Sequence, residues 1–120
     1  MRYKMVVLDL DGTLTNSKKE ITPYTKEMLF RYMEAGGIVV LASGRPTYGI
    51  VPLAKELELP ERGGYILSYN GGNIFDCKTM EAIYQKKMDP KVPAKLAAMA
   101  KEYNVALVTY QDEFLITETH

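Results

Sequence analysis

Met5-Val6-Val7-Leu8-Asp9-Leu10-Asp11-Gly12-Thr13 places two carboxylates just where an apolar run gives way to a turn. Four apolar residues in succession are what a strand covered on both faces presents, the usual condition of a central strand in a parallel sheet. Open α/β sheets bind ligands in the crevice beyond the carboxyl ends of such strands, where the chain leaves the sheet and backbone groups are free. Asp9 and Asp11 stand at that end, and Gly12 lets the backbone turn toward a ligand.

Two carboxylates so placed suit phosphoryl transfer. A phosphate monoester hydrolyses extremely slowly unaided, so a catalyst must align a nucleophile, neutralise charge and protonate the leaving oxygen. One carboxylate can attack phosphorus and form an aspartyl-phosphate, and the other can serve as general acid and then as general base to water. Two acids facing an anion repel it, which implies a hard cation, and Mg²⁺ with its oxygen ligands fits best. Asp and Gly also favour turns for local reasons alone. Against that, Asp-x-Asp-Gly-Thr arises by chance in a chain of this length roughly once in a thousand at ordinary residue frequencies. An Asp ending an apolar strand is moreover costly unless a charge pairs with it.

Ile38-Val39-Val40-Leu41 is a second apolar strand, followed by Ala42-Ser43-Gly44-Arg45-Pro46. Ser or Gly before Pro starts a helix with no ligand required, but a helix amino terminus at a strand end is also a ready anion site. Arg45 in that position serves equally well as partner to a surface carboxylate. Tyr69-Asn70-Gly71-Gly72 follows a third strand, and Asn70-Gly71 is a hairpin signal that explains itself.

These three stretches resemble signatures of the haloacid dehalogenase superfamily of phosphohydrolases. Asp9-Leu10-Asp11-Gly12-Thr13-Leu14 looks like its first motif and Leu41-Ala42-Ser43-Gly44-Arg45-Pro46 its second, in the Ser-Gly-Arg form of the Cof-type sugar phosphatases. Tyr69 to Gly72 resembles a further stretch of that subgroup. The resemblance implies a Rossmann-like α/β core, a parallel sheet with flanking helices, and an inserted α+β cap. It makes Asp9 nucleophile and metal ligand, and Asp11 the acid/base that lends its carbonyl to the metal. Gly12, Thr13, Ser43, Gly44, Arg45 and Asn70 become phosphate or substrate contacts, with Mg²⁺ as cofactor and a small phosphorylated metabolite, a sugar phosphate foremost, as substrate. The family's lysine and its later Gly-Asp-rich acidic segment are not recognisable: Asp76, Asp89 and Asp112 lie in no such context, and no pattern selects a lysine among Lys78, Lys86, Lys87, Lys91, Lys95 and Lys101. Cof-type members are longer than this chain, which therefore reads as an amino-terminal part or a short relative. A non-catalytic Mg²⁺- or phosphate-binding module, completed by a second chain, is the alternative.

The chain has 120 residues with 15 basic and 15 acidic side chains, a balance that argues against nucleic acid or anionic membrane as the main partner. One cysteine, Cys77, excludes an internal disulfide, and one histidine, His120, leaves no support for Ser-His-Asp or histidine-zinc chemistry. No apolar run approaches a membrane span and no signal peptide is recognised, so the expected location is the cytoplasm.

Along the chain, a strand from about Tyr3 to Leu10 precedes a helix opened by Thr22-Pro23, striped by Met28, Leu29, Tyr32 and Met33 and ended by Gly36-Gly37. After Ile38 to Ala42 a helix is expected from Pro46 to Leu59, kinked or divided by Pro52. Tyr65 to Tyr69, Asn73 to Phe75 and Ala82 to Tyr84 read as strands. The composition shift near Lys86 divides a core, residues 1–85, from the start of a cap, residues 86–120. The cap begins with a helix opened by Asp89-Pro90 and ended by Asn104, then a hairpin of Val105 to Tyr110 and Phe114 to Thr117. Without strands beyond it, Met5 to Leu8 is an open edge that invites self-association or a complementing chain.

Overall fold

The computed structural model describes residues 2–117, which divide into two compact units on either side of the Lys86–Lys87 junction. The first unit is α/β: β1 (Met5–Leu8), α1 (Pro23–Glu34), β2 (Ile38–Ala42), α2 (Val51–Glu56), α3 (Leu59–Arg62), β3 (Tyr65–Ser68), β4 (Asn73–Asp76) and β5 (Glu81–Gln85). The sheet order is β1-β2-β3-β4-β5. Its first three strands form the parallel sheet expected of the core, and β4 and β5, the strands expected beyond the Asn70-Gly71 turn, add to it antiparallel, so the whole sheet is mixed.

Local chemistry sets the element ends. Thr22 caps α1 by accepting the Thr25 N–H at 3.3 Å, ahead of Pro23. The Gly36 and Gly37 N–H groups close it on the Met33 and Tyr32 carbonyls. The expected helix from Pro46 to Leu59 is instead three short pieces: a 3-10 turn at Thr47–Gly49, then α2 and α3. Pro52 and Pro60 sit in the first turns of α2 and α3, where the missing N–H costs least, and Glu58 between them turns left-handed at φ 55°.

Register explains the core. Val6 pairs with Val39 and Leu8 with Leu41, and Leu41 with Ile66, so these side chains share one face. There they meet Leu29, Tyr32 and Met33 of α1 and Ala54, Leu57 and Leu59 after it. The opposite face carries Met5, Val7 and Ile38, of which Val7 is 54% exposed. The four-residue apolar run thus does not mark a strand covered on both sides: among the described residues β1 is an edge with one bare face.

The second unit holds α4 (Lys91–Glu102) and a two-stranded sheet of β6 (Val108–Gln111) and β7 (Phe114–Thr117). Asp89 Oδ1 accepts the Lys91 N–H at 2.9 Å at the start of α4, and Asn104 turns left-handed at its end. The Val105 N–H returns to the Ala100 carbonyl, which is why the strand starts three residues later than its apolar run. A groove of about 570 Å³ between helix and hairpin is lined by Ala97, Ala100, Val105, Leu107 and Ile116, among others.

Candidate active site

The chain leaves β1 through a loop that buries its apolar residues and lifts its polar ones. Leu10 and Leu14 are buried, whereas Asp9, Asp11, Gly12 and Thr13 are exposed. The loop is tied internally: the Leu14 N–H donates to the Asp9 carbonyl at 3.0 Å, and the Thr13 and Thr15 N–H groups and the Thr15 hydroxyl donate to the Leu10 carbonyl. Gly12 takes φ 79°, which glycine adopts without strain, and its N–H is engaged by the Thr15 carbonyl at 3.1 Å. The amides of Gly12 and Thr13 are therefore committed within the loop. The Asp11 carbonyl takes none of the described hydrogen bonds.

β2 is parallel to both β1 and β3, so the chain leaves all three strands at the same end of the sheet. Ser43, Gly44 and Arg45 follow β2 and are stitched to the segment after β3. The Ser43 N–H donates to the Leu67 carbonyl, the Asn70 N–H to the Ser43 carbonyl and the Tyr69 N–H to the Arg45 carbonyl, at 2.9, 3.1 and 3.0 Å. Ser43 Oγ accepts the Arg45 N–H at 3.1 Å, which leaves its own proton to give. Gly44 is the close approach. A Cβ there would lie 3.0 Å from Asn70 Oδ1, so any larger residue would push the Asn70 amide back by a few tenths of an ångström. The Gly44 N–H makes none of the described hydrogen bonds. What this strand end presents is thus a loop amide beside a hydroxyl, not the start of the long helix expected from Pro46.

Asp11 joins the two loops. Its Oδ1 receives Lys19 Nζ at 2.6 Å and Arg45 Nη2 at 2.7 Å. The hydrogen bond from Lys19 is the largest influence on its carboxyl; burial opposes it, but with the hydrogen bond from Arg45 and the charge of both cations added the carboxyl is held below the usual carboxylate range. Arg45, which the sequence left divided between ligand and surface pairing, thus pairs with a carboxylate of the first motif. Lys19 was not singled out in the sequence. Asn16 aims it: Asn16 Oδ1 accepts the N–H groups of Lys18 and Glu20, its carbonyl accepts that of Lys19, and Lys19 adopts φ 64°. Asn at the head of such a turn was the available signal, but it names no partner.

For a hard cation, Asp9 and the Asp11 carbonyl supply oxygen donors of the right kind. Among the described residues no group of three His, Cys, Asp or Glu side chains could complete a metal site. No helix among them is long and apolar enough to cross a membrane.

A family model of haloacid dehalogenase-like hydrolases matches residues 6–120. The solved structure of such a hydrolase from Bacteroides thetaiotaomicron is 50% identical, with a TM-score of 0.89 over 98% of this chain and 44% of that one. A Bacillus subtilis protein named 5-amino-6-(5-phospho-D-ribitylamino)uracil phosphatase is 30% identical over 114 residues, 95% of this chain and 38% of its own length. The pyridoxal phosphate phosphatase of Escherichia coli is 28% identical over 123 residues, 98% of this chain and 42% of its own. The chain spans about a third of the length of the first curated relatives it matches. With its two aspartates, its Ser-Gly-Arg loop and its fold all in agreement, the chain belongs to the haloacid dehalogenase-like hydrolases.

Proposed function

We propose that the protein is a Mg²⁺-dependent phosphatase of a small phosphorylated metabolite, working through an aspartyl-phosphate on Asp9. The observation that carries this reading is the convergence of the β1 and β2 loops: Asp11 is held by Arg45 at 2.7 Å beside Ser43 and an uncommitted Gly44 amide. Asp9 attacks phosphorus while the ester oxygen leaves with a proton from Asp11. Asp11 then takes a proton from the water that cleaves the phosphoaspartate. In the ligand-free state Asp11 is an anion held by Lys19 and Arg45; a phosphoryl dianion arriving beside them competes for those cations and raises its affinity for a proton. Ser43 and Gly44 donate to the phosphoryl oxygens. Mg²⁺, held by the Asp9 carboxylate and the Asp11 carbonyl, would offset the repulsion between carboxylate and phosphate. The relatives' names, one a phosphorylated ribitylamino compound and one pyridoxal phosphate, support a small phosphomonoester. A sugar phosphate leads among these, in the cytoplasm, with neither nucleic acid nor membrane as partner.

A second reading, a Mg²⁺- or phosphate-binding module that needs another segment or chain, has one observation behind it: two acids of the first motif, with no third beside them among the described residues. Release of phosphate from a panel of phosphorylated metabolites, with and without Mg²⁺, separates the two. Joint binding of Mg²⁺ and tetrafluoroberyllate with amide shifts at Gly12 and Gly44, but no turnover, selects the second. Shifts confined to remote acidic residues remove both.

A further inference from the structure

Arg45 meets Asp11 with one arm of its guanidinium and leans on the chain with the rest of its side chain. Nη1 makes a long hydrogen bond to the Gly49 carbonyl at 3.4 Å, and the Arg45 stem lies directly over Gly49, where an added Cβ would sit 3.6 Å from Arg45 Cβ and 3.7 Å from Cδ. Gly49 thus touches Arg45 twice, through its carbonyl at the guanidinium and through its α-carbon side along the stem. Gly49 ends the 3-10 turn that begins at Thr47, and so short a turn has little rigidity of its own.

The turn is anchored at Thr47. Its Oγ1 lies 2.6 Å from Ser68 Oγ and accepts from Asn73 Nδ2 at 2.9 Å. Ser68 is fully buried at the end of β3, and Asn73 is its direct partner at the start of β4. The threonine hydroxyl is thus plugged into the pair that closes the β3-β4 hairpin, where two ladder-bonded strands fix it. Asn73 Oδ1 is buried and has no partner among the described residues. A buried acceptor left without a donor is a cost, so this amide is oriented toward Thr47 at the expense of its own second hydrogen bond.

We propose that Thr47 is a positioning residue which, with Ser68 and Asn73, fixes the turn whose Gly49 carbonyl steers Arg45 onto Asp11. The role rests on Asp11 as the acid/base of the proposed phosphatase. Thr47→Val keeps the shape and removes the hydroxyl, and Thr47→Ser keeps the hydroxyl. The test is the NMR order parameter of the Arg45 side-chain N–H, read in the full chain at concentrations where it is monomeric, together with tetrafluoroberyllate affinity in the presence of Mg²⁺. Thr47→Val should lower the order parameter into the flexible range, under about 0.6. It should weaken the mimic by roughly threefold to tenfold, the effect of one hydrogen bond. The amide shifts of β1 and β2 should stay in place, and Thr47→Ser should restore both readouts. An unchanged Arg45 in folded Thr47→Val overturns the assignment. Should that variant not fold, Ser68→Ala, which spares the Asn73 hydrogen bond, carries the same expectation at smaller size, and an unchanged Arg45 there overturns it equally. A wild-type chain that binds no mimic counts against the phosphatase reading, and the Arg45 order parameter then judges this role alone.

Discussion

Asp9 and Asp11 are two residues apart in sequence but sit in different electrostatic company, and their substitutions should separate accordingly. Lys19 and Arg45 both bind Asp11 Oδ1, whereas no described ion pair involves Asp9. Asp9→Asn should abolish phosphoenzyme formation, because an amide is a poor nucleophile. Asp11→Asn should instead slow phosphoenzyme formation and its hydrolysis while leaving Mg²⁺ binding through the unaltered carbonyl measurable. Labelling of each variant with a phosphoryl donor checks this, and wild-type labelling of Asp9→Asn would contradict it. Cys77 gives a second residue-level expectation. Burial, aided by the charge of Asp76, pushes its thiol from 9.0 up to about 11. A raised pKa favours the neutral form in the fold, so its contribution to stability is intact below the ordinary thiol range and is lost as pH rises toward that value. At pH 8 the thiolate should be roughly a hundredfold scarcer than in the unfolded chain, and alkylation slower by at least that factor. Iodoacetamide rates with and without denaturant measure it.

At the scale of elements, α3 is a single turn that could not persist alone, since short helices owe their stability to tertiary packing. Leu59 buries it in the core, and Arg62 ties it further to α1. Its guanidinium lies 4.5 Å from the centre of the Phe30 ring, with Glu34 at 3.7 Å and Glu58 at 2.8 Å. The ion pairs are largely exposed and weak, so the ring contact should dominate. Arg62→Ala should therefore cost about 1 kcal/mol in urea denaturation, whereas Glu34→Ala should cost about 0.3 kcal/mol or less. Equal losses would show that charge pairing, not stacking, joins these helices.

For the whole molecule, the exposed edge of β1 sets the expected behaviour. Met5, Val7 and Ile38 present an apolar face next to a row of unpaired backbone groups, the arrangement that templates pairing with another chain. The purified 120-residue chain should self-associate with rising concentration. Val7→Lys places a charge on that face and should shift sedimentation toward the monomer. A monomeric wild-type chain would mean that these residues suffice for the sheet.

What the sequence determined by itself is what depends on neighbours along the chain. The end of β2 before Ser43, the Thr22-Pro23 cap, the Gly36-Gly37 stop and the Asn104 terminus are local matters of backbone conformation and capping, and each is found where its residues indicate, whereas β1 spans Met5–Leu8 within the expected Tyr3 to Leu10. Apolar run length misled at Met5 to Leu8, because four consecutive apolar residues record what a strand tolerates on each face, not what covers it. Likewise the helix expected from Pro46 gave way to pieces once Pro52, Pro60 and a left-handed Glu58 each took a turn of their own. Only the tertiary structure decided that Lys19 and Arg45, 8 and 34 residues from Asp11, would share one of its oxygens, and that Asn70 would close over Gly44. Those meetings depend on strand order and on where each loop leaves the sheet. No local spacing encodes them.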